Sequence, residues 1–128
     1  MSDPTNALDW AEYAEDDWNT AKILLKRKKP STMAVCYHAQ QSAEKYLKAL
    51  LVAKKVNFPK THDLTTINMI CGNNAILTGF STEALTILSD HAVTARYPGD
   101  MPTTEDAKES IAIAKTIRKF ARQWLGLK

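Results

Sequence analysis

Along most of the chain, apolar and small residues recur at alternating spacings of three and four, the repeat of one face of an α-helix. Ala11, Ala14, Trp18, Ala21 and Leu25 mark such a face over about residues 6–27, and Leu8 and Leu24 widen it. Lys26-Arg27-Lys28-Lys29-Pro30 ends this helix, because proline disfavours helical geometry at the residue before it. A second helix is predicted over about 32–55, with Ser31 suited to its N-cap, where a hydroxyl accepts from a free backbone N–H. Its core stripe is Cys36, Ala39, Ala43, Tyr46, Leu50 and Ala53, with Leu47 and Leu51 beside it. Ala39, Ala43 and Ala49 leave room for a neighbouring helix to approach closely. His38, Gln41, Lys45 and Lys48 make a polar stripe at the same spacing, expected at the edge of the buried face.

Asn57-Phe58-Pro59-Lys60 breaks the pattern. Thr61 is placed to cap a short third helix, about 62–70, with Leu64, Ile67 and either Met69 or Ile70 inward. Cys71-Gly72-Asn73-Asn74 reads as a helix end and loop. Ser81 is the expected cap of a fourth helix, about 82–96, with Phe80 placed to staple onto Leu85. Leu85, Leu88, Ala92 and Ala95 form its face, and Pro98-Gly99 ends it. Thr103, with Asp106 three residues on, resembles a capping box, after which Ala107, Ser110, Ala114, Ile117, Ala121 and Trp124 run toward the end of the chain. Helices of this length hide such stripes only against one another. The expected architecture is all-α, an up-and-down bundle of four to five helices forming one domain over residues 1–128. Trp10, Tyr13, Leu51, Ile111, Ile113 and Phe120 lie outside a single narrow seam, and a homodimer that buries some of them is expected.

Composition narrows the class. With 45% hydrophobic and 24% charged residues the chain can bury a core and does not read as disordered. Four glycines and five prolines argue against a turn-rich β fold. No apolar run approaches the ~18 residues of a membrane span, and the opening MSDPTNALDW is acidic, without a signal-peptide core. Cys36 and Cys71 have neither CxxC nor metal spacing, so a reduced, cytoplasmic protein with buried thiols is expected. The three histidines are scattered, and there is no Gly-rich phosphate loop and no nucleophile elbow; neither a metal nor a cofactor is expected. The net charge of +3 does not demand a nucleic-acid partner. Its distribution is uneven: residues 1–21 hold six acids and no base, residues 22–60 ten bases and one acid, Glu44. Acids at helix starts and bases at helix ends explain most of this, with an anionic ligand as the other cause.

Three segments, in order, carry a more specific pattern. They are Cys36-Tyr37-His38-Ala39-Gln40-Gln41-Ser42-Ala43-Glu44-Lys45-Tyr46-Leu47-Lys48-Ala49-Leu50-Leu51, then Pro59-Lys60-Thr61-His62-Asp63-Leu64, then Ala95-Arg96-Tyr97-Pro98-Gly99 followed by Glu105-Asp106-Ala107. A helix with Trp10-Ala11 and Asp16-Asp17 precedes them. This arrangement resembles HEPN domains of the bacterial and archaeal type across nearly the whole chain. The resemblance implies a helical bundle that commonly dimerises. It also implies a setting beside a minimal nucleotidyltransferase, for which such domains have been regarded as nucleotide- or substrate-binding partners. Other members are toxin ribonucleases of toxin–antitoxin pairs. Those use an arginine followed after four to six residues by a histidine. None of Arg27, Arg96, Arg118 and Arg122 has a histidine at that spacing, so the cleavage motif is absent.

The candidate ligand-binding residues follow. Lys60, Thr61 and His62 precede a helix start, where free N–H groups and a lysine suit a phosphate and an imidazole suits proton transfer; the plainer role of His62 is to fix a loop against helix two. Arg96 suits bidentate phosphate contact and Tyr97 base stacking, with closure of the bundle end as the plainer role. His38, Gln41, Lys45 and Lys48 offer donors along one helical edge, or else a solvated edge carrying a Glu44–Lys48 pair. His91 and Asp90 read as surface or dimer-interface residues. An alternating bundle would gather Lys54, Lys55, Lys60, His62, Arg96 and Tyr97 at one end. The leading expectation is a HEPN protein that binds a nucleotide or nucleic-acid phosphate and partners a nucleotidyltransferase. The alternatives are a metal-independent ribonuclease toxin using His62 or His38 with Arg96, and a helical interaction module without a small ligand.

Overall fold

The computed structural model describes residues 6–94 and 99–128. Among them are five helices and no strand: α1 (Ala7–Leu25), α2 (Thr32–Ala53), α3 (Leu64–Asn73), α4 (Thr82–Thr94) and α5 (Thr104–Trp124). None is long and apolar enough to cross a membrane. The all-α bundle read from the periodicity is the fold.

Local chemistry sets the ends. Asn6 caps α1 by accepting from the Asp9 N–H at 2.9 Å. Ser81 Oγ accepts from the Ala84 N–H at 3.0 Å at the start of α4. Thr103 and Asp106 form the reciprocal capping box, with bonds of 3.0 and 2.9 Å. Two caps differ from expectation. Ser31 occupies the N-cap of α2 but its hydroxyl makes no capping bond. α3 starts two residues later than predicted, because Asp63 rather than Thr61 caps it. The Asp63 carboxylate takes the Thr65 N–H and both the Thr65 and Thr66 hydroxyls, while Thr61 Oγ1 accepts from the Asp63 N–H. α3 also runs through Cys71-Gly72-Asn73, placing Cys71 rather than Met69 in the core beside Leu64 and Ile67. α2 ends with Lys55 at φ +59°, where the Val56 N–H reaches back to the Leu51 carbonyl at 2.9 Å and turns the chain sharply.

α2 is the axis of the molecule, in contact with each of the other four helices. Its interatomic contacts give the directions. Trp10, Glu15 and Asp17 of α1 meet Lys48, Tyr46 and Lys45 of α2, so α1 and α2 run antiparallel. Cys36 and Tyr46 meet Ser110 and Arg122, so α2 and α5 run parallel. Phe80 and His91 meet Phe120 and Glu109, so α4 and α5 run antiparallel. α1 presents small residues to α2: its four buried positions are Ala11, Ala14, Trp18 and Ala21. Most of the apolar groups read as spare are used inside the chain. Leu51 is fully buried, and Trp10, Ile111, Ile113 and Phe120 pack against the core, leaving Tyr13 exposed. Conversely, Ala53 and Trp124, read as core positions, are exposed, and Trp124 retains 40% of its surface. Phe80 packs edge-on against Phe120, with centroids 5.6 Å apart.

A charged knot ties α1, α2 and α5 together. Arg118 grips Glu15 with two bonds of 2.7 and 2.6 Å and lies over the Trp18 ring, while the Tyr46 hydroxyl donates to Glu15 at 2.6 Å. The Arg118 bonds, helped by Tyr46, hold the Glu15 carboxyl below its ordinary value against the opposing effect of burial. Burial and the bond to Glu15 push the Tyr46 phenol up to about 12. A carboxyl depressed on folding stabilises the protein above its unfolded pKa, and that contribution is lost as pH falls through the folded value. Glu15→Gln is therefore expected to lose less stability than the parent chain on acidification from about pH 5 downward, measured as urea midpoints at neutral and acid pH. Parallel decline of both proteins would count against the knot.

Candidate functional site

The site grows out of α2 and the segment that follows it. Gln40, Glu44 and Lys48 lie four residues apart, on one stripe of α2. All three are buried. After α2 the chain folds back along the helix; Phe58 packs edge-on against Trp10, and His62 is delivered beside the middle of α2. Glu44 Oε2 there accepts from the Lys48 ammonium at 3.0 Å and faces His62 Nδ1 at 2.9 Å. Its Oε1 accepts from the Gln40 amide at 3.3 Å. The same amide donates to the His62 carbonyl at 3.4 Å, and Gln41 donates to Gln40 Oε1 at 2.9 Å. Lys48 also lies over the Trp10 ring, 5.6 Å from its centroid. The Glu44 side chain is 3% exposed and that of His62 81%, so the imidazole joins a sequestered carboxylate to the solvent side. Lys48 and Gln40 both donate to Glu44, which leaves the carboxylate to accept from His62 Nδ1–H. The neutral imidazole then carries its lone pair on Nε2.

His62 opens onto a cleft of about 400 Å³. One wall is Tyr37, Gln40 and Gln41 of α2, the next is His62 and Asp63, and the third is Ser89, Ala92 and Val93 of α4. Its size is that of a small-molecule site.

The sequence candidates are distributed as follows. His62 and Gln41 line the cleft. His38 and Lys45 do not: both bind Asp17 of α1, at 2.9 and 2.6 Å. Lys48 is buried against Glu44, so the Glu44–Lys48 pair belongs to the interior rather than to a solvated edge. Lys60 is exposed on the returning segment, and Thr61 Oγ1 is engaged by the Asp63 N–H. The anion site expected at the start of helix three carries a carboxylate instead, since Asp63 caps α3. Arg96 and Tyr97 lie outside the described residues. The gathering of Lys54 and Lys55 with His62 does not occur, because His62 returns to the level of Gln40 and Glu44 while the two lysines follow the far end of α2. Glu44, Gln40, Tyr37, Asp63 and Ser89 were not singled out as site residues from the sequence. The one legible signal was Glu44 itself, the lone acid among the bases of residues 22–60.

A second cluster joins α4 to α5. His91 Nε2 lies 2.8 Å from Glu109 and 3.9 Å from Asp106, and the ligand-type atoms of all three fall within 4.8 Å of one another. These are the described residues that have the atoms to hold a cation. The positive end of the α5 dipole opposes one there, and His91 already bridges the two helices through its 2.8 Å contact with Glu109. Cys36 and Cys71 are buried and free, and burial pushes both thiols up, Cys71 to about 11.

An axial helix wrapped by four others, with a buried carboxylate backing an exposed imidazole at a cleft, places the chain among all-helical domains with a polar side pocket. A family model of the HEPN domain matches residues 7–124, nearly the whole chain, and the chain belongs to the HEPN domain family. No curated protein and no solved structure matches it.

Proposed function

We propose that this HEPN protein binds a nucleotide or a nucleic-acid segment in the cleft beside His62 and acts as a partner of a minimal nucleotidyltransferase, within the cell and as a homodimer. The observation that carries the reading is the Glu44–His62 contact opening onto a cleft of ligand size. The missing arginine–histidine cleavage motif favours binding over catalysis. Met33 is exposed one helical turn before Tyr37, outside the cleft lining, and supplies apolar surface for a second protein.

Calorimetric titration with ATP, GTP and a short RNA tests the proposal. At least one is expected to bind, and His62→Ala to weaken it by about tenfold, the upper end of the range for one hydrogen bond. Absence of heat with every ligand, together with failure to co-purify with a minimal nucleotidyltransferase, would refute it.

One observation favours a second reading. A carboxylate that orients an imidazole is also the arrangement of a general base. A metal-independent ribonuclease, as a toxin in a toxin–antitoxin pair, would use His62 on the RNA hydroxyl. Cleavage of labelled total RNA that disappears in His62→Ala would replace the first reading with this one.

A further inference from the structure

We propose that the cleft receives the nucleoside part of its ligand, the base against Tyr37 and the α4 wall and the sugar hydroxyls against the acceptors, with the phosphates left outside. The inference rests on the nucleotide-binding reading and specifies which moiety the pocket selects.

The first argument is charge. No lysine or arginine lines the cleft among the described residues. Lys45 is held by Asp17 and Lys48 by Glu44. Asp63 lines the cleft, and the Thr66 and Thr65 hydroxyls hold its carboxyl below the ordinary value, so it is ionised at neutral pH. A phosphate placed there would meet a like charge.

The second argument is the direction of the hydrogen bonds. Gln40 uses its amide N–H groups on Glu44 and on the His62 carbonyl, which makes its Oε1 an acceptor and fixes Gln41 as the donor to it. Gln41 is left with its own Oε1 and one N–H. In its neutral form His62, donating through Nδ1, presents Nε2 as an acceptor. Asp63 Oδ2 takes the Thr66 hydroxyl, and its carboxylate as a whole can only accept. The wall thus offers acceptors at Gln41 Oε1, His62 Nε2 and Asp63, beside the Tyr37 and Ser89 hydroxyls, which both donate and accept. Sugar hydroxyls and exocyclic amino groups donate, whereas an ionised phosphate only accepts.

The third argument is shape and polarity. Tyr37 of α2 lines the cleft together with Ala92 and Val93 of α4. An aromatic ring and apolar side chains in one cleft suit the flat face of a base.

The test is calorimetry on the intact chain with adenosine, guanosine, cytidine, uridine, their triphosphates and inorganic phosphate, at low and high salt. At least one nucleoside is expected to bind within about threefold of its triphosphate, with little salt dependence because exposed charge contributes little. Inorganic phosphate should give no heat. Asp63→Asn keeps a residue able to cap α3 and removes the charge, so it should shift preference severalfold toward the triphosphate. Binding of triphosphates and phosphate without any nucleoside would overturn the inference while leaving the nucleotide-binding function standing. Absence of heat from every probe would overturn both.

Discussion

Replacing Glu44 with alanine should cost the protein about 3–5 kcal/mol, because it leaves the Lys48 ammonium buried without its carboxylate. Lys48 and Glu44 are both buried, so water cannot take over the lost contact without opening the α1–α2 interface. The loss extends to the surface, since His62 Nδ1 and the Gln40 amide lose the same acceptor. Adding Lys48→Met to Glu44→Ala should recover most of the stability, as removing both charges takes away the desolvation cost along with the attraction. Urea denaturation of the two single variants and the double gives the coupling directly. A Glu44→Ala loss below about 1 kcal/mol, the level of an exposed ion pair, would mean that the pair is not sequestered.

The second large effect is expected at Trp18. Its ring is 4% exposed and is the one large side chain among the four buried positions of α1, the other three being alanines. Lys22 and Arg118 each lie 5.6 Å from it, so the ring also seats the arginine that grips Glu15. Trp18→Ala should cost about 3–5 kcal/mol through lost burial and an unfilled cavity, a fall of roughly 10–20 °C in Tm for a chain of this size. Trp18→Phe should recover a substantial part, because it restores an aromatic face to Arg118. Calorimetric melting of both variants decides. Equal Tm values for Trp18→Ala and the parent would remove Trp18 from the core.

These two positions differ in how visible they were. Trp18 was legible because the α1 face repeats at helical spacing, and four of its five marker residues are buried. The α5 capping box was legible because Thr103 and Asp106 meet within one turn. Features that depend on remote partners were not. Glu44 and Lys48 have the spacing of a solvated pair, and it takes remote groups such as Trp10 of α1 and the returning segment to enclose them. Thr61 and Asp63 are both competent caps. The three acceptor contacts made by the carboxylate fix α3 at Leu64, and a linear pattern does not rank the two. Leu51, Ile111 and Phe120 looked surplus to one seam because a central helix packed by four neighbours buries more than one stripe. The cleft was half visible. His62 and Gln41 were singled out, but their meeting requires the chain after α2 to double back, which sequence spacing does not encode.

One oxygen of Glu44 answers to two masters, the lysine inside and the imidazole outside. Thermodynamic reciprocity then constrains the pair of environments. Whatever free energy an occupant contributes by tightening or loosening the imidazole's hold, the interior returns in the same amount when a change at Lys48 alters how firmly that occupant is held. Melting of the bundle and any binding at the imidazole would then be linked equilibria, each shifting the other through Glu44.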